Sequence, residues 1–278
     1  MSKGSERLVV VSSVALIGLG MIGIFSLFQD EQPNASFESR QLEREDRGDE
    51  KMERTTQNPQ DRERQDTDEP PLLLKSIGVN LGAHDAVTGM AGDFRFTKEK
   101  IEFDRLFMGY GFLVPANSAG PAKRNPQPTY VLPLGTPVRS LVDGVVAAMP
   151  TLWSGDISVQ VTEDGQLQQW IYEMEHVIRP TVQVGDRVRA GQIIGEVSDF
   201  DKGVPAGFGV TEIGILKGGN PPSHVCPYAY LDESIKQETF KKLRAFYEAW
   251  ETYRGNPALY DESKETFLGC LTLDPIEG

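Results

Sequence analysis

The sequence predicts a mainly β fold, an antiparallel sandwich or barrel with one C-terminal α-helix, preceded by a transmembrane helix and a disordered linker. Three observations carry this prediction. An uncharged apolar run opens the chain, an acid-rich polar stretch follows it, and the remainder alternates short apolar segments with Gly, Pro and Asp-Gly turns before its period becomes helical.

Residues 8–28 contain no charge. Their length matches the roughly 20 apolar residues that cross a hydrocarbon core as a helix. A cleaved signal peptide has a shorter apolar core and a small-residue cleavage site, whereas Phe25-Ser26-Leu27-Phe28 runs directly into Gln29-Asp30. The run therefore reads as an uncleaved anchor. Lys3 and Arg7 precede it and Asp30 and Glu31 follow it, so residues 1–7 are expected in the cytoplasm and everything after the span outside.

Residues 29–71 hold 14 acidic and 7 basic residues, with Phe37, Leu42 and Met52 as their large apolar groups. Such a segment buries too little apolar surface to offset its ordering entropy and is expected to be a disordered linker. A random-coil chain of this length reaches roughly 35–40 Å. The net charge of −13 is spread over the linker and the domain after it. That excludes broad affinity for nucleic acid, which needs a basic face. Cys226 and Cys270, an even pair on the oxidising side of the membrane, read as a disulfide.

Residues 72–123 form an N-terminal β extension in this reading, with a turn and strand at residues 89–96 and another strand at residues 107–114. In residues 124–231, Asp143-Gly144 turns into a strand, and Ile157, Val159 and Val161 alternate with polar residues. Asp164-Gly165 then turns the chain into a strand over residues 167–174, completing a hairpin. Gly185-Asp186 and Gly191-Gln192 mark further turns, and residues 211–216 give one more strand. Residues 232–278 are expected to hold a helix and a docked tail. Ile235, Phe240, Leu243, Phe246, Tyr247, Trp250 and Tyr253 recur at helical spacing, with Asp232 as N-cap and Gly255 past the end. That aromatic stripe reads as a packing face.

Pro133-Leu134-Gly135-Thr136-Pro137-Val138, then Asp143-Gly144-Val145-Val146, then the stretch from Val184-Gly185-Asp186 to Gly195-Glu196-Val197, resemble the lysostaphin/LytM-type zinc endopeptidases, which cut peptide cross-links in peptidoglycan. The resemblance covers residues 124–231 and implies an antiparallel LytM-like β sandwich, a barrel-sandwich hybrid. The Gly-Asp-x-Val-x-x-Gly-Gln piece alone also occurs in hybrid-barrel adaptors of membrane assemblies. Those are expected to carry flanking coiled-coil heptads, which this sequence lacks.

The resemblance also implies zinc, held by a His-x-x-x-Asp pair and by the second His of a later His-x-His. Here the ligand positions fall on Asn125, Thr129 and Glu212, with Val210 in place of the other histidine. His176 alone matches a family histidine. Asn and Thr are poor zinc ligands, and His84 and His224 lie at no ligand spacing, so no cofactor is expected. His176 reads as a strand-end histidine bonded to a neighbour, or as a remnant acid/base. Glu173 and Glu175 read as a solvated acidic edge. The resemblance, with its ligand positions changed, implies a membrane-anchored, non-catalytic bacterial pseudoenzyme that binds peptidoglycan or regulates a cell-wall hydrolase. The alternatives are a metallopeptidase with a non-standard site and a hybrid-barrel adaptor. Loops at residues 116–128, 148–156 and 199–208 are expected to wall a groove, with Trp153 as the binding candidate.

Overall fold

A computed structural model describes residues 68–116 and 121–278. The N-terminus, the anchor and nearly all of the linker expected from the sequence lie outside the described residues. Among the described residues no helix is long and apolar enough to cross a membrane. Residues 68–71, assigned by sequence to the linker, lie on the domain: Pro70 is buried, Lys217 pairs with Asp68, and the Tyr172 hydroxyl meets the backbone of Leu72.

The chain runs through β1 (Leu81–Asp85), β2 (Met90–Gly92), β3 (Phe94–Arg95), β4 (Phe107–Met108), β5 (Leu113–Val114), β6 (Lys123–Arg124), β7 (Thr129–Pro133) and β8 (Pro137–Arg139). It continues through β9 (Gly144–Ala148), β10 (Ile157–Thr162), β11 (Trp170–Ile178), β12 (Arg187–Val188), β13 (Ile193–Val197), β14 (Phe208–Lys217) and β15 (Ser223–Val225) to helix α1 (Glu233–Arg254) and β16 (Ile276–Glu277). A large antiparallel sheet runs in the order β12-β9-β10-β11-β14-β15-β16, with β7 also on β14 and β4 on β7. The β extension makes a separate sheet, β1-β2-β3, and a β5-β6 ladder.

Four segments differ from the sequence reading: residues 89–96 hold two paired strands, β2 and β3, rather than one, the strand expected over residues 211–216 runs from Phe208 to Lys217, and two more follow. The segment expected as one strand over residues 107–114 is broken into β4 and β5. Gly111 between them takes φ 77°, and Gly109 approaches the Gly269 carbonyl so closely that a Cβ would sit 2.8 Å from it. The strand expected over residues 167–174 begins later, at Trp170, and extends to Ile178. The preceding turn is longer than the Asp164-Gly165 pair, with Thr162 accepting the Gly165 N–H at 3.0 Å.

Strand β11 occupies the middle of the sheet and changes partner along its length. Trp170 to Glu175 pair with β14, whereas Val177 and Ile178 pair with β13. Between them stands His176 at φ 58°, beside a register shift against β10. A positive φ in a non-glycine residue is strained and persists only where its surroundings impose it. Here the strand turns from one sheet partner to the next.

Helix α1 begins where Asp232 accepts the Ser234 N–H at 2.9 Å and ends at Gly255, φ 74°. Leu243, Phe246, Tyr247 and Trp250 on its inner face are buried. Phe246 meets Phe94, Trp250 meets Phe96 and Tyr247 meets Phe107, and the Trp250 indole donates to the Asp104 carbonyl at 2.9 Å. Burial of side chains this large contributes roughly 1.5–3 kcal/mol each, so the helix is part of the core. The tail returns to the sheet, where Cys226 is bonded to Cys270 across a Cα–Cα distance of 6.1 Å.

Candidate functional site

Three strands bring most of the sequence-selected residues to one place. Glu212, in the middle of β14, lies directly opposite Thr129 of β7 on one side and Glu175 of β11 on the other. The Asn125 amide donates to the Thr129 hydroxyl at 3.0 Å, and that hydroxyl donates to Glu212 Oε1 at 3.0 Å. The resemblance-derived ligand positions are thus joined as amide, hydroxyl and carboxylate. Val210 is buried in the core. A zinc site requires charged or imidazole donors free to converge on the ion. Asn125 and Thr129 are neutral and already bonded to each other and to the third member, so this set does not fit zinc.

His176 is 5% exposed. Successive strand residues normally face opposite sides, but the bend at His176 lets its ring and the Glu175 carboxylate reach the same point. Its Nδ1 meets Asp156 at 3.1 Å, and Ser154 at 3.4 Å. Its Nε2 makes no hydrogen bond among the described residues; Glu212 Oε2 lies 3.9 Å away. Burial disfavours charge on Asp156, yet hydrogen bonds from His176, Ser154 and Ser198 outweigh it and hold this carboxyl below its usual range. The ring stacks on Phe200 with centroids 3.7 Å apart, and Phe200 meets Trp153 edge-on at 5.9 Å. Trp153 is 62% exposed.

Glu173 and Glu175 are not a solvated edge. Both are buried, because β11 has a strand on each side and no edge to offer. Burial, with Glu173, Glu212 and Asp156 close by, pushes the Glu175 carboxyl well above the ordinary glutamate range. Glu173 goes the other way. Burial opposes its charge, but His224 Nε2 at 3.2 Å, Gln160 at 3.1 Å and Ser158 at 3.0 Å lower it. His224, which has no ligand spacing in the sequence, thus arrives from β15 as a buried partner of Glu173. His84 stacks on Phe96 in the β1-β2-β3 sheet.

Sequence spacing offers no metal site, yet the structure places ligand atoms of Glu175, His176 and Glu212 within 4.8 Å of one another. Asp156, Glu175 and Phe200 are the site residues that sequence reasoning missed. The run Glu173-Met174-Glu175-His176 is the local signal for Glu175 alone; Asp156 and Phe200 lie in the loops at residues 148–156 and 199–208, with nothing in their spacing to single them out.

No family model matches the chain. A stretch of 68 residues, 24% of this chain, is 43% identical to the glycyl-glycine endopeptidase ALE-1 of Staphylococcus capitis. The chain spans 18% of the length of that relative. The catalytic domain of the M23 protein EnpA from Enterococcus faecalis is 23% identical, with a TM-score of 0.34, over 48% of this chain and 93% of that one. The lysostaphin catalytic domain from Staphylococcus simulans is 21% identical, with a TM-score of 0.31, over 40% and 78%. Superpositions this loose place no residue. The sequence likeness of that stretch to the endopeptidase supports a lysostaphin/LytM-type fold.

Proposed function

From a β domain of lysostaphin/LytM type, we propose that the chain is a membrane-anchored cell-wall protein that binds peptidoglycan without cutting it. One observation carries the reading. Asn125, Thr129 and Glu212 stand at the positions where the family resemblance calls for zinc ligands, and they are hydrogen-bonded to one another. Asn125 and Thr129 do not hold an ion that would activate a water at the positions the resemblance uses for catalysis, and His176 alone does not supply that effect. Binding asks for less, namely a concave surface with a few convergent polar and aromatic groups. The anchor at residues 8–28 would hold the domain on the wall side of the membrane.

A second reading, an endopeptidase with a non-standard metal site, is supported by the convergence of Glu175, His176 and Glu212. Incubating the purified full-length chain with insoluble peptidoglycan separates the two. The proposed function expects the protein in the pellet and no new soluble peptide fragments. Release of fragments, abolished by Glu212→Ala, would establish the second reading instead.

A further inference from the structure

The donors beside the closed Asn125–Thr129 pair form a different constellation. Glu175 and Glu212 face each other across the β11–β14 ladder, and His176 is drawn to the same point by the bend in β11. The side chain of His176 is nine-tenths buried, and its two ring nitrogens are treated differently. Nδ1 is fixed by Asp156, itself bonded by Ser154, whereas Nε2 has no hydrogen-bond partner among the described residues and looks toward Glu212. A carboxylate behind one imidazole nitrogen, with the other nitrogen free among carboxylates, is how histidines are oriented for metal ions.

We propose that Glu175, His176 and Glu212 hold one divalent transition-metal ion of the zinc class, in a site that does not use Asn125 or Thr129. One imidazole and two carboxylates suit zinc or manganese, whereas calcium takes six to eight oxygen ligands. Zinc bonds of about 2.0–2.2 Å draw donors closer than the present separation. Glu212 is the member able to move, because its side chain is 21% exposed while Glu175 is buried. That exposure also gives the ion its way in and leaves a coordination position facing solvent. Asp156, Glu173, Glu175 and Glu212 crowd four carboxyl groups around this point, and a divalent charge there would offset their mutual repulsion.

The test uses the full-length chain, stripped with EDTA, dialysed near neutral pH and titrated with zinc chloride in a calorimeter, with calcium chloride as control. One zinc per chain is expected, with no calcium heat. Glu212→Gln and His176→Gln are expected to weaken binding at least tenfold. Asp156→Asn is expected to cost about 10–100-fold through the orienting bond, while Asn125→Ala, a change that reaches Glu212 only through Thr129, is expected to weaken binding less than Asp156→Asn does. Because Glu212 is partly exposed, its variant stays informative even where His176→Gln fails to fold. Absence of saturable zinc binding, or binding that Glu212→Gln leaves unchanged, overturns the site. Peptidoglycan release is assayed in the same samples. Zinc bound without release supports both the site and the non-hydrolytic reading. Zinc bound with release supports the site and overturns that reading alone.

Discussion

Glu175 concentrates the chemistry at the scale of single residues. Its carboxyl is buried and lies beside Glu173, Glu212 and Asp156, and both effects raise its pKa in the folded protein. A carboxyl whose pKa is raised on folding binds more protons folded than unfolded, so its contribution to stability falls as pH rises above the unfolded value, about 4.3 for glutamate. In chelator-treated protein, Glu175→Gln is therefore expected to raise the melting temperature at pH 7 by about 2–4 °C, what ~1 kcal/mol makes in a domain of 150–250 residues. The gain should shrink as pH falls toward the unfolded glutamate pKa and vanish below it, where the carboxyl is neutral in both states. A melting temperature lowered at pH 7 would show that the charged form is the one the fold stabilises. Glu173, two residues earlier, follows the opposite sign, since the hydrogen bonds from His224 and its neighbours lower its pKa. Its contribution is present above the unfolded glutamate pKa and is lost as pH falls through the folded value. This contrast was not legible in the sequence. The repeat of glutamates before His176 suggested an edge, and only strand order shows that β11 lies between two neighbours. Nor does any spacing reveal that Asp156, twenty residues before His176, is its partner.

At the scale of elements, legibility tracks how local the cause is. Helix α1 was readable because its period, its Asp232 cap and its Gly255 terminus all lie within the segment they define. The hairpin of β10 and β11 was readable from alternation, but the start of β11 depends on how the turn packs and fell outside what alternation reports. The break between β4 and β5 was not readable at all, since it comes from contact with Gly269, far along the chain. That same C-terminal segment is tied to the sheet by Cys226 and Cys270, separated by 44 residues. Closing a loop of this size restricts the unfolded chain and stabilises by about 3–4 kcal/mol in the chain-entropy account. Replacing both cysteines with serine is expected to lower the unfolding free energy in urea by about that amount, with β16 the first element to lose amide protection. A change below about 0.5 kcal/mol, the range of neutral surface substitutions, would mean that sheet pairing alone holds the tail.

At the scale of the whole molecule, the sequence pointed to a lysostaphin/LytM-like domain, and the positions where that resemblance expects zinc ligands carry Asn125, Thr129 and Glu212. The convergence of Glu175, His176 and Glu212 was not legible there, because it is assembled across two strands and depends on the bend in one of them. From Glu212 through the His176 ring to Phe200 and Trp153, the residues form a continuous path from a buried acidic centre to an exposed aromatic surface. Trp153 at the end of that path meets Phe200 by its edge and is mostly in solvent, so its removal exposes little apolar area and leaves no large cavity. Loss of a core tryptophan costs about 3–5 kcal/mol, whereas surface substitutions usually stay within about 0.5 kcal/mol. An exposed indole beside a polar centre instead offers the kind of flat amphipathic face that dominates recognition surfaces. Trp153→Ala in the full-length chain is therefore expected to reduce retention on insoluble peptidoglycan about tenfold, equivalent to ~1.4 kcal/mol, while the urea midpoint stays put. Retention that is unchanged while the midpoint falls by the amount of a core truncation would assign Trp153 to the support of Phe200 and His176, and the wall-binding surface would have to lie on another face of the domain.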